Sequence, residues 1–361
     1  MKLTAKVKLV TTTAQKDLLT RTLRMANQAC NHISGIAWDH QTFAQFRLHG
    51  LAYYDTSAAF PALGSQVVVR CEAKVADAYK LDKKVRRKFH PLGAIAYDAR
   101  ILTWKMSQSI VSIWTLDGRI KIPFVCGDHQ HRLLDGQRGE ADLMLIAGEF
   151  YLSATCEVEQ AEWIDVADYL GVDMGIVQIA TDSDGESHSG AAVEKARRIH
   201  QNRRTRLQKK GTKSAKRKLR KLSGRQSKFQ RNENHRIAKT LVRKAKDTER
   251  GIAIEDLGGI RERVTVRRLQ RARLSNWGFF DLRTKIEYKA RRGGVPVVHV
   301  DPRNTSRMCH ECGCIDKANR RSQSGFKCVS CNHVANADHN AALNIRSRAK
   351  AKVNRPNSVQ S

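Results

Sequence analysis

Acidic residues are scarce in this chain of 361 residues: 35 Asp and Glu face 66 Lys and Arg, which leaves a formal net charge of +31. Such an excess destabilises a compact state through self-repulsion unless a polyanion compensates it. The sequence has no basic amphipathic anchor and no lipidation motif, which argues against an acidic membrane as that polyanion. A nucleic acid is therefore the expected partner.

Long apolar runs are also missing. No stretch approaches the ~18 apolar residues that a membrane span requires. The first ten residues, MKLTAKVKLV, alternate polar and apolar side chains as a strand does, and they lack the apolar core of an export signal. We therefore expect a cytoplasmic protein with no membrane partner.

Several signatures of other enzyme classes are absent. The sequence contains no G-x-S-x-G, no G-x-x-x-x-G-K-[ST] and no H-E-x-x-H, which argues against serine hydrolases of that type, P-loop nucleotidases and zincin proteases. Aromatic residues make up only 6% of the chain. Recognition of duplex backbone and shape is therefore expected rather than recognition by base stacking alone.

The nine cysteines fall into two groups. Four are scattered in apolar surroundings and are predicted to be small buried thiols: Cys30, Cys71, Cys126 and Cys156. A C-x2-C-x15-C-x2-C pattern is formed by four of the others: Cys309, Cys312, Cys328 and Cys331. This spacing predicts a zinc ribbon with one structural Zn²⁺ and no open position for water. Cys314 is left over.

Three acidic residues stand at the edges of apolar segments. Asp173 lies in YLGVDMG, Glu255 ends the run GIAIE, and Asp338 begins a helix that continues with Ala341, Ala342 and Ile345. Each acid alone could be a strand-end residue paired with Lys or Arg. The three together fit a carboxylate site for two Mg²⁺ ions about 3.5–4 Å apart, as in phosphodiester hydrolysis.

The segment 195–250 is strongly basic, with 23 Lys and Arg against three acids. It is predicted to be mostly helical, with breaks at Gly211 and at Ser223-Gly224. A solvated charged hairpin is the alternative, but solvated helices usually alternate the sign of their charges. We predict phosphate contacts, and the candidate residues are Arg217, Lys218, Arg220 and Lys221.

The first 160 residues are predicted to form an antiparallel β-unit with a helical insertion after its first strand. Residues 2–10 form that strand, a capping box at Thr12–Gln15 starts the first helix, and a second helix spans about 65–87. Strands follow, with hairpin turns at Asp117-Gly118 and Gly148-Glu149.

Beyond about residue 163, the pattern predicts a mixed α/β unit. A hairpin spans YLGVDMGIVQIATDSDG, and a buried strand ends at Glu255. A helix capped near Ser275 or Asn276 ends at Gly293-Gly294, and VPVVHV forms the next strand.

The order VDMGI, IAIEDL, TSRMCHECG and FKCVSCNHVANADHNAALNI resembles TnpB, the RuvC-like nuclease encoded by bacterial and archaeal insertion sequences and the ancestor of compact type V CRISPR effectors. The match is clearest over 163–347. By position, Asp173, Glu255 and Asp338 are similar to the metal-binding acids of that family, and the four patterned cysteines to its zinc ligands. Two positions depart from the usual motif: Asn304 replaces an aromatic residue, and Asn332 replaces a glycine.

The resemblance implies an α+β multidomain chain. Residues 1–11 and 88–162 would form a wedge-like antiparallel β-barrel, and 12–87 a helical recognition insert. Residues 163–301 and 336–361 would form an RNase H-like (RuvC) domain, and 302–335 an inserted zinc ribbon that binds target nucleic acid.

The implied activity is that of an RNA-guided, Mg²⁺-dependent DNA endonuclease of a transposable element. It would bind a guide RNA from the transposon end and cut double-stranded DNA beside a short adjacent motif, as a monomer in a prokaryotic cytoplasm, nucleoid-associated when on DNA. Two alternatives remain open: a nuclease-inactive RNA-guided repressor and a compact type V CRISPR effector.

Overall fold

A computed structural model describes residues 1–256 and 279–353, which belong to two compact units, Met1–Glu159 and Gln160–Ser361. The helix start predicted near Ser275 or Asn276 lies outside the described residues. Among the helices in these ranges, none is both long and apolar enough to cross a membrane.

The first unit is built on a seven-stranded antiparallel sheet in the order β2-β6-β7-β1-β5-β4-β3. The strands are β1 (Lys2–Leu9), β2 (Ile95–Tyr97), β3 (Leu102–Lys105), β4 (Ile110–Thr115), β5 (Gly118–Val125), β6 (Gln137–Ile146) and β7 (Glu149–Glu157). The two predicted hairpins are confirmed, because Thr115 pairs with Gly118 and Ile146 pairs with Glu149. This order leaves β2 and β3 at the two ends of the sheet.

Three helices are inserted between β1 and β2: α1 (Thr13–Asp39), α2 (Gln45–Ala59) and α3 (Ser65–Leu81). The Thr12–Gln15 capping box is confirmed. The prediction that the last of these helices reaches residue 87 is wrong: α3 ends at Leu81, Asp82 is extended, and the Arg87 guanidinium donates to the Asp82 carbonyl. A short helix, α4 (Asp128–Leu134), precedes β6.

The sheet and the inserted helices share one hydrophobic core. Helix α1 contributes Leu19, Leu23 and Ile33 at helical spacing, and β7 contributes Phe150 and Leu152. Three of the four scattered cysteines are fully buried in this core and Cys126 is half-buried, in line with the prediction of small structural thiols. The predicted antiparallel unit with a helical insertion is therefore confirmed.

The second unit has a five-stranded sheet in the order β10-β9-β8-β11-β12. The strands are β8 (Tyr169–Asp173), β9 (Gln178–Asp182), β10 (Ser187–Ser189), β11 (Gly251–Glu255) and β12 (Val297–Val300). Strand β11 runs parallel to both β8 and β12, whereas β9 and β10 are antiparallel. A small hairpin, β13 (Gly325–Lys327) and β14 (Val334–Asn336), follows later in the chain.

The described residues of this unit form five α-helices: α5 (Ala191–Lys210), α6 (Lys213–Leu222), α7 (Arg225–Asp247), α8 (Phe279–Gly293) and α9 (Ala337–Val353). The predicted breaks at Gly211 and Ser223-Gly224 are confirmed. Leu170, Val172 and Ile254 pack with residues of α7 and α8 on one face of the sheet. Tyr169 and Ala253 pack with residues of α9. Because strand side chains alternate between faces, β8 and β11 lie in the middle of an α/β/α sandwich.

Gly171 allows α9 to lie directly on β8. A Cβ at this position would lie 2.7 Å from the Arg346 backbone nitrogen and still closer to the Ala342 carbonyl oxygen. Both obstacles are backbone atoms, so the whole helix would have to move.

We expect Gly171→Ala to lower the free energy of unfolding by about 3 kcal/mol or more, in the upper range for overpacking. Urea unfolding followed by circular dichroism measures it. Gly293→Ala is the matched control in the same unit, since its nearest contacts would be ordinary ones at 3.7 and 4.0 Å. Equal stabilities of the two variants would contradict the close approach.

Candidate functional site

The carboxyl ends of β8 and β11 bring Asp173 and Glu255 to one edge of the sheet. The parallel register pairs Val172 with Ile254, so the next residue on each strand is an acid. Residues two apart share a face, which places Asp173 with Gly171 and Glu255 with Ala253. Both acids therefore belong to the face that α9 covers.

Asp338 lies in the first turn of α9, about one helical turn before Ala342, whose carbonyl lies over Gly171. The side chain of Asp338 is buried, as is that of Glu255, and Asp173 is half-buried. The sheet edge and the helix start thus bring the three predicted acids into one neighbourhood although they are far apart in the sequence.

The electrostatics of the three acids show negative charge that the protein does not fully compensate. Burial, together with the charges of Glu255 and Asp338, raises the pKa of Asp173 to about 8. Burial also raises the pKa of Glu255 and that of Asp338. Buried carboxyl groups so close to one another are stabilised either by a bound cation or by protonation.

This raised pKa predicts a pH-dependent stability in Mg²⁺-free buffer. Between the unfolded-state pKa of Asp173 and its native value of about 8, the native state binds more protons than the unfolded state. The part of the free energy of unfolding that comes from protonation of Asp173 is present in full below the unfolded-state pKa. It is lost as the pH rises towards 8, with a slope of up to about 1.4 kcal/mol per pH unit. Urea unfolding of the wild type and of Asp173→Asn over this pH range measures it, and the variant should show a shallower slope, which Glu255 and Asp338 still contribute. Parallel pH profiles would contradict it.

Two polar partners of these acids were not predicted from the sequence. The Thr305 hydroxyl donates to Glu255 Oε1, and the Arg320 guanidinium donates to Asp338 Oδ1 at 3.1 Å. Arg320 also lowers the pKa of Asp173. For Asp338, the ion pair with Arg320 agrees with the alternative raised in the sequence analysis, in which an acid is paired with Lys or Arg. Thr305 lies in the TSRMC motif, which was the only signal for it in the sequence.

Within the described ranges, one group of three or more His, Cys, Asp or Glu side chains has donor atoms that all lie within 4.8 Å of one another, and it consists of the four patterned cysteines. The Sγ atoms of Cys309 and Cys331 are 3.7 Å apart, and those of Cys312 and Cys328 are 3.5 Å apart. A Zn–S distance of about 2.3 Å gives tetrahedral edges of about 3.8 Å, so the tetrad fits zinc. The three acids, two at the sheet edge and one at the start of α9, do not meet this criterion.

Two backbone N–H groups stabilise the thiolate form of Cys328. The backbone N–H groups of Cys331 and Ser330 donate to Cys328 Sγ, both at 3.4 Å, and they lower the pKa of this thiol. Because the thiolate is the form that binds metal, this geometry favours zinc over protons at neutral pH. Cys314 is half-buried beside the tetrad and is not part of it.

Buried asparagines connect the cysteine unit to the helix that carries Asp338. Asn340 accepts from the His310 N–H at 3.0 Å and donates to the Met308 carbonyl at 2.8 Å. Asn344 donates to the carbonyls of Met308 and Thr305, at 2.7 and 2.9 Å. The segment that leads into the first cysteine is therefore fixed against α9, next to the Glu255 partner Thr305.

The two departures from the TnpB-like motif occupy unusual backbone conformations. Asn304 has φ +59° and Asn332 has φ +58°. Asparagine tolerates this left-handed region better than most other non-glycine residues. Asn332 therefore can adopt the turn for which a glycine is usual.

The four predicted nucleic-acid contacts all lie on α6 and are exposed. Lys218 and Lys221 line a cleft between α5 and α6, whereas Arg217 and Arg220 do not.

Comparisons with known proteins agree with the motif resemblance. A family model described as "Cas12f1-like, TNB domain" matches residues 279–345. The CRISPR-associated endodeoxyribonuclease Cas12f1 of Sulfoacidibacillus thermotolerans is 45% identical over 118 residues, which is 32% of this chain and 26% of that protein. A TnpB-like protein of Methanocaldococcus jannaschii is 38% identical over 160 residues, which is 42% of this chain and 57% of that protein.

The putative RNA-guided DNA endonuclease InsQ of Escherichia coli is 29% identical over 223 residues, 55% of this chain and 53% of InsQ. The predicted resemblance to TnpB is thus confirmed. The chain spans between about a quarter and somewhat more than half of the length of these curated relatives.

A solved structure shares the fold. The Cas12f1 chain in a cryo-EM structure of a Cas12f1-sgRNA-target DNA complex superposes with a TM-score of 0.60 at 16% identity, over 92% of this chain and 81% of that one.

Proposed function

We propose that this protein is an RNA-guided DNA endonuclease of the TnpB type, which cuts double-stranded DNA beside a short adjacent motif. The observation that carries the proposal is that Asp173 and Glu255 end neighbouring parallel strands, and that Asp338, at the start of α9, acts with Glu255 on the pKa of Asp173. The relatives named as endonucleases support the same activity.

In this proposal, the second unit is a RuvC-like, RNase H-like nuclease formed by residues 163–301 and 336–361, with the zinc ribbon 302–335 inserted. The first unit is the wedge-like barrel of residues 1–11 and 88–162 with the recognition insert 12–87. The strand orders of the two sheets support these assignments.

The three acids fit Mg²⁺ in their chemistry. Carboxylate oxygens are the ligands that Mg²⁺ prefers, and the raised pKa of Asp173 marks a site where negative charge is short of compensation. Bound Mg²⁺ would supply an activated water and stabilise the leaving oxygen. Among the residues of the chain itself, Thr305 orients Glu255, and Arg320 partly compensates the charge of Asp338.

The proposed partners are a guide RNA from the transposon end and target duplex DNA. Pairing of guide and target is roughly isoenergetic with the DNA duplex that it replaces, so protein contacts to backbone and motif are able to shift the balance. In a chain with a net charge of +31, Lys and Arg side chains are available for phosphate contacts that do not depend on the base sequence.

The alternatives are separated by specific observations. A nuclease-inactive repressor would be expected to lack at least one of the acids, and all three are present. A compact type V CRISPR effector would use the same chemistry, and the Cas12f1 relatives are named as CRISPR-associated endodeoxyribonucleases. A CRISPR array or an insertion-sequence end beside the gene would distinguish these two.

The test begins with sequencing of the RNA that copurifies with the protein. A discrete species that extends into flanking DNA should direct cleavage of a plasmid with a matching target in Mg²⁺. A plasmid without the match is the control. Cleavage of both plasmids at equal rates, or of neither, would reject guided cutting.

A further inference from the structure

Helices α5 and α6 enclose a cleft of about 450 Å³ together with the start of α7. The two helices are joined by a tight turn, in which Gly211 adopts φ +63° and the Thr212 hydroxyl accepts from the Ala215 N–H. Six cationic side chains line the cleft: Arg203, Arg206, Lys210, Lys218, Lys221 and Arg225.

Among the described residues, these six cations have no acidic partner. In the part of the chain that the structure describes, none of the six forms an ion pair, and all six are exposed. The same helices pair other arginines, because Arg197 binds Glu194 on α5 and Arg236 binds Glu233 on α7. Six like charges around one cleft repel one another unless a polyanion lies between them.

The size of the cleft and its uncharged lining residues indicate which part of a polyanion it would bind. The cleft falls in the size range of pockets for small ligands, which is room for the sugars and phosphates of a short segment of one strand. Leu207 and Leu222 provide its apolar wall, and no aromatic side chain is among its lining residues. Such a lining suits sugars and phosphates and offers no stacking platform for bases.

We propose that this cleft binds the sugar-phosphate backbone of a single-stranded nucleic acid segment. The inference rests on the proposed function for the presence of such strands, which are the guide RNA and the DNA strand that guide pairing displaces. It also divides the four contacts predicted on α6: Lys218 and Lys221 belong to the cleft, and Arg217 and Arg220 lie outside it.

Two matched triple variants test the cleft. Arg203→Gln/Arg206→Gln/Arg225→Gln removes three cleft arginines, and Arg198→Gln/Arg204→Gln/Arg243→Gln removes three exposed arginines outside it. Both lose the same charge, and Gln keeps a similar helix propensity. Fluorescence anisotropy is measured with a labelled unstructured RNA of about 12 nucleotides, with DNA of the same sequence and with the corresponding DNA duplex.

The cleft variant should bind single strands about tenfold more weakly than the control variant, and its slope of log K against log salt should fall by about 2, as three lost phosphate contacts require. Loss confined to the RNA probe assigns the cleft to the guide, and loss confined to the DNA strand assigns it to the displaced strand. Equal weakening in both variants, unchanged single-strand binding, or a loss confined to the duplex would overturn the proposal. Binding is measured without cleavage, so the outcome is independent of the nuclease test.

Discussion

Replacing Asp173 with Asn should reduce DNA cleavage about 10³-fold or more while RNA binding stays within about twofold of wild type. Catalytic metal ions contribute several kcal/mol of transition-state stabilisation, and each 1.36 kcal/mol corresponds to about tenfold in rate. Asp173 ends β8 beside Glu255, so its loss removes one of three proposed ligands. Single-turnover cleavage of a guided plasmid measures the rate, and anisotropy measures RNA affinity.

The same variant should be more stable than the wild type in Mg²⁺-free buffer near pH 8, because it removes a carboxylate whose charge is disfavoured by burial and by two neighbouring acids. A merely structural Asp would show the opposite change. Asp165→Asn is the control, since Asp165 is exposed in the same unit; it should change neither rate nor stability. Retained cleavage in Asp173→Asn would reject the site assignment.

The neighbourhood of the acids could be predicted because its signals are local. Asp173 and Glu255 each end a five-residue strand after four residues without charge, and Asp338 begins a helix. Parallel strands present their carboxyl ends at one edge of a sheet, so three local patterns indicated one place. Thr305 and Arg320 could not be found in this way, because their contacts join residues 50 and 18 positions apart and depend on the path of the cysteine unit.

Two helices were not predicted, for physical reasons. Helix α2 buries only Leu48, Ala52 and Thr56, a stripe too narrow to produce a clear apolar period. Helix α4 has seven residues and buries two leucines. The capping box of α1 and the hairpin at Gly118 were predictable because their hydrogen bonds join residues only three apart.

In protein loaded with Zn²⁺, replacing Cys328 with Ser should lower the zinc content measured by mass spectrometry from about one ion per chain to nearly none. The four thiols are a complete tetrahedral donor set, and the small hairpin β13–β14 buries few apolar side chains. Metal binding supplies about 10–16 kcal/mol in zinc-finger peptides, so the ribbon should unfold without it. Hydrogen exchange should increase over residues 305–336 and remain unchanged in the first unit.

Loss of zinc should also disturb the three acids. The ribbon carries Thr305 and Arg320, the partners of Glu255 and Asp338, and is fixed to α9 through Asn340 and Asn344. Guided cleavage should therefore fall about 10- to 100-fold, as expected when the partners that support metal ligands are removed. Cys314→Ser is the matched control: this half-buried thiol lies beside the tetrad without belonging to it, so zinc content and cleavage should be retained. If Cys314→Ser lost zinc and Cys328→Ser kept it, Cys314 rather than Cys328 would be the zinc ligand. If cleavage were unaffected by zinc loss, the ribbon would not support the three acids.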